Sequence, residues 1–346
     1  MSGPLGPGDH LARFLSTQSS FPLPLGTRFE PGRVRGYYVD MRVKAPHPSW
    51  PSGWPWAPGS RGWDVLGQAA LGSYERHLAG EGEQWLEATR SVAEYLMSHQ
   101  HVGGAFDGGL VHHYELGHTF PLRPPFLSSN SQGQAASLLV RLYLETGEER
   151  YADHARRALR PLGVPSARGG VMGILAGRAF PEEYPTSPGS FVLNGGMFAM
   201  WGQHDVGVGL DDGEAKAAFE ESLETLAANV HRWDTGSWSR YDLFPHPVVN
   251  VASAAYHALH VNQLRAMQVL APRPEIATTL GAFERYAASR AARAAAFGRK
   301  LAFRLVVPRS PRLARVWPGR VRRNGAPGAA AHGAGSADGP GEAGET

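Results

Sequence analysis

The sequence predicts a mainly α fold, an (α/α) toroid of helical hairpins preceded by a short N-terminal β or irregular segment. Three observations lead there. First, "GQAALGSYERHLAGEGEQWLEATRSVAEYL" from Gly67 and "GQAASLLVRLYLETGEERYADHARRALRPL" from Gly133 repeat at an offset of 66 residues, aligning Leu78 with Leu144, Trp85 with Tyr151 and Leu96 with Leu162. Second, each copy reads as a helix, a Gly-Glu turn and a second helix. Third, two looser copies follow, from Ser190 to Val230 and from Asn250 to Ser289. Hairpins that recur at intervals of about 60 residues stack and share a core.

Taken in order, residues 1–62 are rich in Pro, Gly and Trp, and their best strand signal is "GYYVDMRVK", Gly36 to Lys44, alternating around Tyr38, Asp40 and Arg42. Residues 63–289 form the toroid, 290–323 a basic amphipathic extension, and 324–346 a low-complexity tail expected to be disordered. In a closed ring of hairpins the inner helices line a central cleft and the connections form its rim. Three connections, 104–131, 181–189 and 233–247, are rich in aromatic and polar residues, the usual place for function.

Composition excludes several classes. The chain has 346 residues, 42% hydrophobic and 19% charged, which suits a globular protein with a sizeable core. It has no cysteine, so disulfides and thiolate metal sites are excluded. No apolar run is long enough to span a membrane, and the first 25 residues lack a basic start followed by an apolar core. The expected location is cytoplasmic, with peripheral membrane contact through 290–323. There are 31 Arg against 3 Lys in a chain rich in Ala, Gly and Pro, the mark of high-GC coding bias, so Arg content does not argue for nucleic acid as a partner. Charge is uneven: residues 290–323 hold ten Arg, one Lys and no acid, whereas residues 1–289 carry a net charge of −5.

Three stretches carry chemistry. "AFPEEYPTSPGSFVLNGG" (179–196) sets Glu182, Glu183 and Tyr184 against a Pro-rich turn and then an apolar run containing Asn194. Alone, the two glutamates also read as ordinary acids at a helix N-terminus. "RWDTGSWSRYDL" (232–243) sets Trp233, Trp238 and Tyr241 beside Asp234 and Asp242. Such a pattern suits sugar rings, with apolar faces and hydroxyl edges, as well as it suits a packed turn capped by Asp234 and Thr235. "AAYHALHVNQL" (254–264) puts Tyr256, His260 and Gln263 on one helical face. His257 and His260 lack a third ligand, and His112, His113, Glu115 and His118 match no zinc spacing, so no metal is expected. There is no nucleophile elbow, phosphate-binding glycine loop or dinucleotide fingerprint, and no cofactor is expected.

Together, "EEYPTSPGSFVLNG", "DTGSWSRYDL" and "YHALHVNQL", in this order and at these intervals, resemble the C-terminal domain of D-glucuronyl C5-epimerases. The resemblance runs from about Gly67 to Ser289, with "SQGQAASLLVRLYLETGEERY" similar to the preceding repeat. It implies an isomerase on an α/α toroid that converts glucuronate to iduronate in heparosan-type chains. It implies acid/base roles for Glu183, Tyr184, Tyr241 and Tyr256. Asn194 matches the family's FVLNG asparagine, and Gln134, Trp233, Trp238, Asp242, His257 and His260 complete the expected substrate-binding set. The implied partner is a glucuronate-containing polysaccharide, and a homodimer stays open. Two departures stand out. Animal members carry a β-rich region before the toroid, where about 60 residues stand here. They also place an arginine after Tyr-Asp-Leu, where this chain has Phe244, Pro245 and His246, so that His246 or a remote arginine would have to substitute. The competing readings are a uronate lyase or hydrolase on the same toroid, and a non-catalytic glycan-binding protein.

Overall fold

Small residues at the repeat positions decide how the helices meet. The computed structural model describes residues 23–48, 62–113, 119–120 and 122–308. Its first hairpin pairs α1 (Trp63–Leu78) with α2 (Gln84–Ser98), and the second pairs α3 (Ser129–Thr146) with α4 (Glu149–Leu159). The third pairs α5 (Leu193–Gly209) with α6 (Gly213–Asn229), the fourth α7 (Ala254–Leu270) with α8 (Pro274–Ala288), and α9 (Arg290–Val306) follows. A short antiparallel hairpin, β1 (Met172–Leu175) and β2 (Arg178–Pro181), sits between the second and third helical hairpins. The chain is therefore mainly α, built of successive helical hairpins.

The inner helices α1, α3, α5 and α7 pack side by side in sequence order. A Cβ on Gly67 would lie 3.1 Å from Gln134, and one on Gly133 would lie 2.4 Å from the Phe198 carbonyl oxygen. The repeated glycine thus permits helix backbones to approach where a side chain would not fit. The contacts also fix direction. Gly133 meets Phe198 and Gly202, Arg141 meets Asp205, and Gly209 meets Val140, so α3 and α5 run in the same sense. Tyr74 reaches Glu145 on the α1–α3 side, and Trp201 reaches Met267 on the α5–α7 side, in the same order. All four inner helices therefore begin at one end, and the outer helices return antiparallel.

Gly36 to Lys44 is not the strand that alternation suggested. Val39 makes an isolated antiparallel bridge to Leu25, and the segment ends in a 3-10 turn at Arg42–Lys44. Tyr37, Tyr38, Val39 and Met41 are all buried, because the segment lies across the C-terminal halves of the inner helices and is covered on both sides. Gly26 and Asp40 donate to the Tyr38 and Pro24 carbonyls, a rudimentary hairpin. Its anchor is a buried polar knot. Arg141 donates to Asp205 at 2.6 Å and to the Arg35 and Gly36 carbonyls at 2.9 and 3.0 Å. The Tyr38 hydroxyl bridges His204 and Asp205. Burial works to raise the Asp205 carboxyl, but Arg141 and His204 outweigh it and hold the group below the usual carboxylate range.

Within the stretch expected as a basic extension, Arg290–Val306 is a helix capped by Ser289, whose hydroxyl accepts from the Ala292 N–H. It docks on α7 and α8. It buries Ala296, Lys300 and Phe303 and exposes Phe297, Leu301 and Leu305. The remainder of 290–323, from residue 309, and the whole of 324–346 lie outside the described residues, as do Glu115 and His118. Among the described residues no helix is long and apolar enough to cross a membrane.

Candidate active site

The expected acid/base residues come from connections that feed the N-terminal ends of the inner helices, not from helix middles. The chain leaves β2 directly into Glu182, Glu183 and Tyr184. Neighbouring residues on an extended segment face opposite ways, and the two glutamates divide accordingly. Glu182 faces inward. Its carboxylate accepts from the Ser190 N–H at 3.1 Å, the Ser190 hydroxyl at 2.7 Å and the Phe191 N–H at 2.9 Å. Its backbone joins the Val171 carbonyl and the Ser129 N–H. Glu182 is thus a latch that closes the loop before α5. Burial pushes its carboxyl up to about 7 against those three hydrogen bonds.

Glu183 faces the site. It is 5% exposed, and the Asn130 side-chain amide approaches its Oε1 at 3.5 Å. Its Oε2 is buried and has no hydrogen-bond partner. Beneath it lies Gly195 in the first turn of α5, where a Cβ would fall 2.3 Å from Oε2. Burial, and then the charge of Asp64, push the Glu183 carboxyl up to about 8, while hydrogen bonds from Tyr184 and Asn130 pull it back. Asp64 opens α1, and burial raises its carboxyl too.

Tyr184 adjoins this carboxylate, and two further phenols, Tyr241 and Tyr256, adjoin Tyr184. Burial, followed by the charge of Glu183, raises the Tyr184 hydroxyl well above its ordinary value, and Tyr241 and Tyr256 act on it as well. The Tyr241 and Tyr256 rings meet edge to face at 5.0 Å. With Tyr184 they surround Phe120, Val192 and Phe244 in one small apolar cluster. Tyr241 is held through its backbone: its N–H donates to the Asn250 carbonyl at 2.7 Å and its carbonyl accepts from Leu193 at 3.2 Å. Tyr256 occupies the first turn of α7, where its N–H donates to the capping Ser253 hydroxyl. Glu183 and Tyr184, Tyr241, and Tyr256, from three separate segments, therefore gather in one place.

A row of polar atoms without protein partners continues from there along the inner helices. Both amide atoms of Gln134, the Asn194 Oδ1, the Gln263 Oε1 and the His260 Nε2 are buried without a hydrogen bond. Buried polar groups are normally paired, so such atoms suit a hydroxyl-rich ligand. His260 stays neutral: burial, His257 and Lys300 hold its pKa well below the ordinary value. Asp64, Asn130 and Gln263 are the site-facing residues absent from the expected set. Asn130 and Gln134 are four apart on α3, a helical spacing already present in "NSQGQ".

Other expected ligands serve the framework. Trp233 is fully buried, its indole N–H donating to the Phe191 carbonyl at 2.9 Å. Trp238 is 2% exposed, donates to the Ala252 carbonyl at 3.0 Å, and stacks on His257 at 3.8 Å. Neither indole offers a face to a sugar; both pack the turn, because their N–H groups find carbonyls inside it. His257 is spanned by the Ser239 hydroxyl at 2.7 Å and the Phe283 carbonyl at 3.0 Å, and burial lowers its pKa to about 4. Asp242 is fully buried and accepts from the Phe244 N–H and the Asn250 amide, so it shapes the Tyr241 loop. His246 does not take the place of the absent arginine, since its ring stacks on Phe120 and its Nε2 lies 3.3 Å from Asp242. His112 is likewise internal, stacked on Phe126 at 4.8 Å with its Nε2 3.3 Å from the Ser131 hydroxyl.

The family profile "D-glucuronyl C5-epimerase C-terminus" matches residues 104–285, more than half of the chain. The chain belongs to the D-glucuronyl C5-epimerase C-terminal family. Glu183, Tyr184, Asn194, Tyr241 and Tyr256 all lie in the matched span, whereas Asp64 and α9 lie outside it. A D-glucuronyl C5-epimerase of Caenorhabditis elegans is 32% identical over 199 residues, 53% of this chain and 32% of that protein. An uncharacterized protein of Methanocaldococcus jannaschii is 32% identical over 119 residues, 32% of this chain and 38% of that protein. The epimerase-family chain thus spans about a third of the length of the curated relatives it matches. The unsaturated glucuronyl hydrolase of Bacillus sp. GL1 overlaps 64% of this chain and 60% of its own at 15% identity and a TM-score of 0.44. That of Streptococcus agalactiae overlaps 64% and 56% at 19% identity and a TM-score of 0.42. Overlaps this loose carry no weight for the function of this epimerase-family member.

Proposed function

We propose that this chain epimerises glucuronate residues of a polysaccharide at C5, giving iduronate. The observation that carries the reading is Glu183: a buried carboxylate with an unpartnered Oε2, a pKa raised to about 8, and Tyr184 beside it in a cluster shared with Tyr241 and Tyr256. The C5 hydrogen of a uronate is α to a carboxylate, so its removal needs a base on one face and donors for the enediolate that forms. Glu183 Oε2 takes the proton. Tyr184 and Tyr241 donate to the substrate carboxylate oxygens, where charge develops. Tyr256, carried by a different element, returns a proton on the opposite face. The N-terminal ends of four inner helices add partial positive charge at the same end, which favours an anionic sugar.

A base that titrates near 8 is close to the working pH, where proton transfer is most efficient. The rate should therefore rise with pH through about 8, as Glu183 ionises. The test is C5 hydrogen exchange in deuterated water with heparosan and other glucuronate-containing glycans, read by NMR. Iduronate signals are expected, and a Glu183→Gln, Tyr256→Phe double variant should lose exchange by at least a hundred- to ten-thousand-fold. Unsaturated, ultraviolet-absorbing product would replace this reading by a lyase. Glycan binding that survives the double variant, without exchange in the wild type, would replace it by a binding protein.

A further inference from the structure

We infer that Lys300, on α9, is a positioning residue for Tyr241 and supplies the fixed positive charge beside its phenol. This deepens the reading of the site given above and rests on it for the meaning of Tyr241. Lys300 is one of only three lysines in a chain with 31 arginines. It is 5% exposed, and an ammonium so buried must be repaid by bonds. Its Nζ donates to the Asn250 Oδ1 at 2.6 Å and to the Val251 carbonyl at 2.8 Å, and lies 5.5 Å from the centroid of the Tyr241 ring. A compact tripod of donors suits the two oxygen acceptors of that corner.

The contacts converge on Tyr241. Asn250 takes the Tyr241 N–H on its backbone carbonyl and passes its side-chain amide to Asp242. Val251 bridges Arg240. Lys300 therefore ties residues 250 and 251 to the strand-like run that carries Tyr241, with its charge 5.5 Å from the centre of that ring. The ionisable neighbours of Tyr241 are Tyr184 from the loop after β2, Tyr256 from α7 and Lys300 from α9. Arg240 precedes it and Asp242 and His246 follow it in its own loop, and Glu183 stands beyond Tyr184. Lys300 is the cation that stands over the Tyr241 ring itself. It favours the phenolate of Tyr241 over the level that burial beside carboxylates would otherwise allow. Lys300 is carried by a helix that lies beyond the family-matched residues.

The experiment compares wild type with Lys300→Gln, which keeps two amide donors and loses the charge, and Lys300→Arg, which keeps the charge. Ala296→Gly is the control, because it loosens the same helix without touching the cation. Phenolate formation is followed by ultraviolet absorbance across pH without substrate, and the Tyr241 transition is the one missing in Tyr241→Phe. In Lys300→Gln this transition should move up by about one pH unit. The alkaline limb of C5 exchange should move the same way, with kcat down about tenfold and KM little changed. Lys300→Arg should recover most of the position of the limb. Two outcomes overturn the inference: a Lys300→Gln titration that coincides with that of Ala296→Gly, or a wild-type Tyr241 that stays protonated up to alkaline unfolding. Because the absorbance arm needs no substrate, it is decided even if no glucuronan exchanges at all.

Discussion

At the scale of single residues, the pair Glu182–Glu183 shows how two adjacent carboxyls acquire different duties. Three donors engage one oxygen of Glu182, whereas the Oε2 of Glu183 has none. The glutamates, the tyrosines and Asn194 were legible because each sits in a short motif. Which glutamate faces the site was not, since that depends on Ser190 and Gly195 folding back from the next element. Trp233, Trp238 and Asp242 were misplaced for the same reason. Their partners, Phe191, Ala252 and Asn250, are contacts that a local pattern does not contain. The raised pKa of Glu183 also bears on stability. Its folded value, about 8, exceeds the ordinary value of 4.5, so the folded state holds a proton that the unfolded state has released between those pH values. The stability from the neutral carboxyl is complete below about 4.5 and is lost as pH rises through about 8. Glu183→Gln should therefore be more stable than wild type by an amount that grows with pH, reaching about 4 kcal/mol near pH 8. Thermal scans from pH 5 to 8 check this, and a pH-independent difference would contradict it.

At the scale of elements, the 66-residue repeat was legible because it encodes a physical need, a glycine at the α1–α3 and α3–α5 crossings. The strand at Gly36 to Lys44 was misread because its alternation does not show that the segment is buried against the inner helices and pairs only at Val39 with Leu25. The first turn of α5 couples packing to the site. An alanine at Gly195 would put its Cβ 2.3 Å from Oε2 and 2.5 Å from Cβ of Glu183. Glu183 must then shift, and a displacement of this size costs about a hundredfold in rate. Gly195→Ala should lower C5 exchange by about that factor and stability by only about 1–3 kcal/mol. Parallel exchange and melting measurements separate the two effects, and full activity in a stable variant would contradict the placement of Glu183. The basic extension was legible as a charge run. That its first part is a docked helix rests on Ala296, Lys300 and Phe303 sharing one face, a spacing that the surrounding arginines obscure.

At the scale of the molecule, the bundle is pinned at the end remote from the site by the Arg141–Asp205 pair, whose side chains are fully buried. Removing one partner strands a charge. Asp205→Asn should lower stability by about 3–5 kcal/mol, measured by urea unfolding. A loss below about 1 kcal/mol would mean that water reaches the knot. The four parallel inner helices have a further consequence. The acid/base groups enter on a connection between an outer helix and the next inner one or in the first turn after it, while the polar row of Gln134, Asn194, His260 and Gln263 stays on the inner helices. The architecture thus separates inheritance of the scaffold from invention at its rim. A connection can lengthen, shorten or be exchanged for another without repacking the interior, and each exchange would present a new set of side chains to the same converging helix ends. Descendants of such a bundle are free to diverge in chemistry while remaining recognisably the same protein.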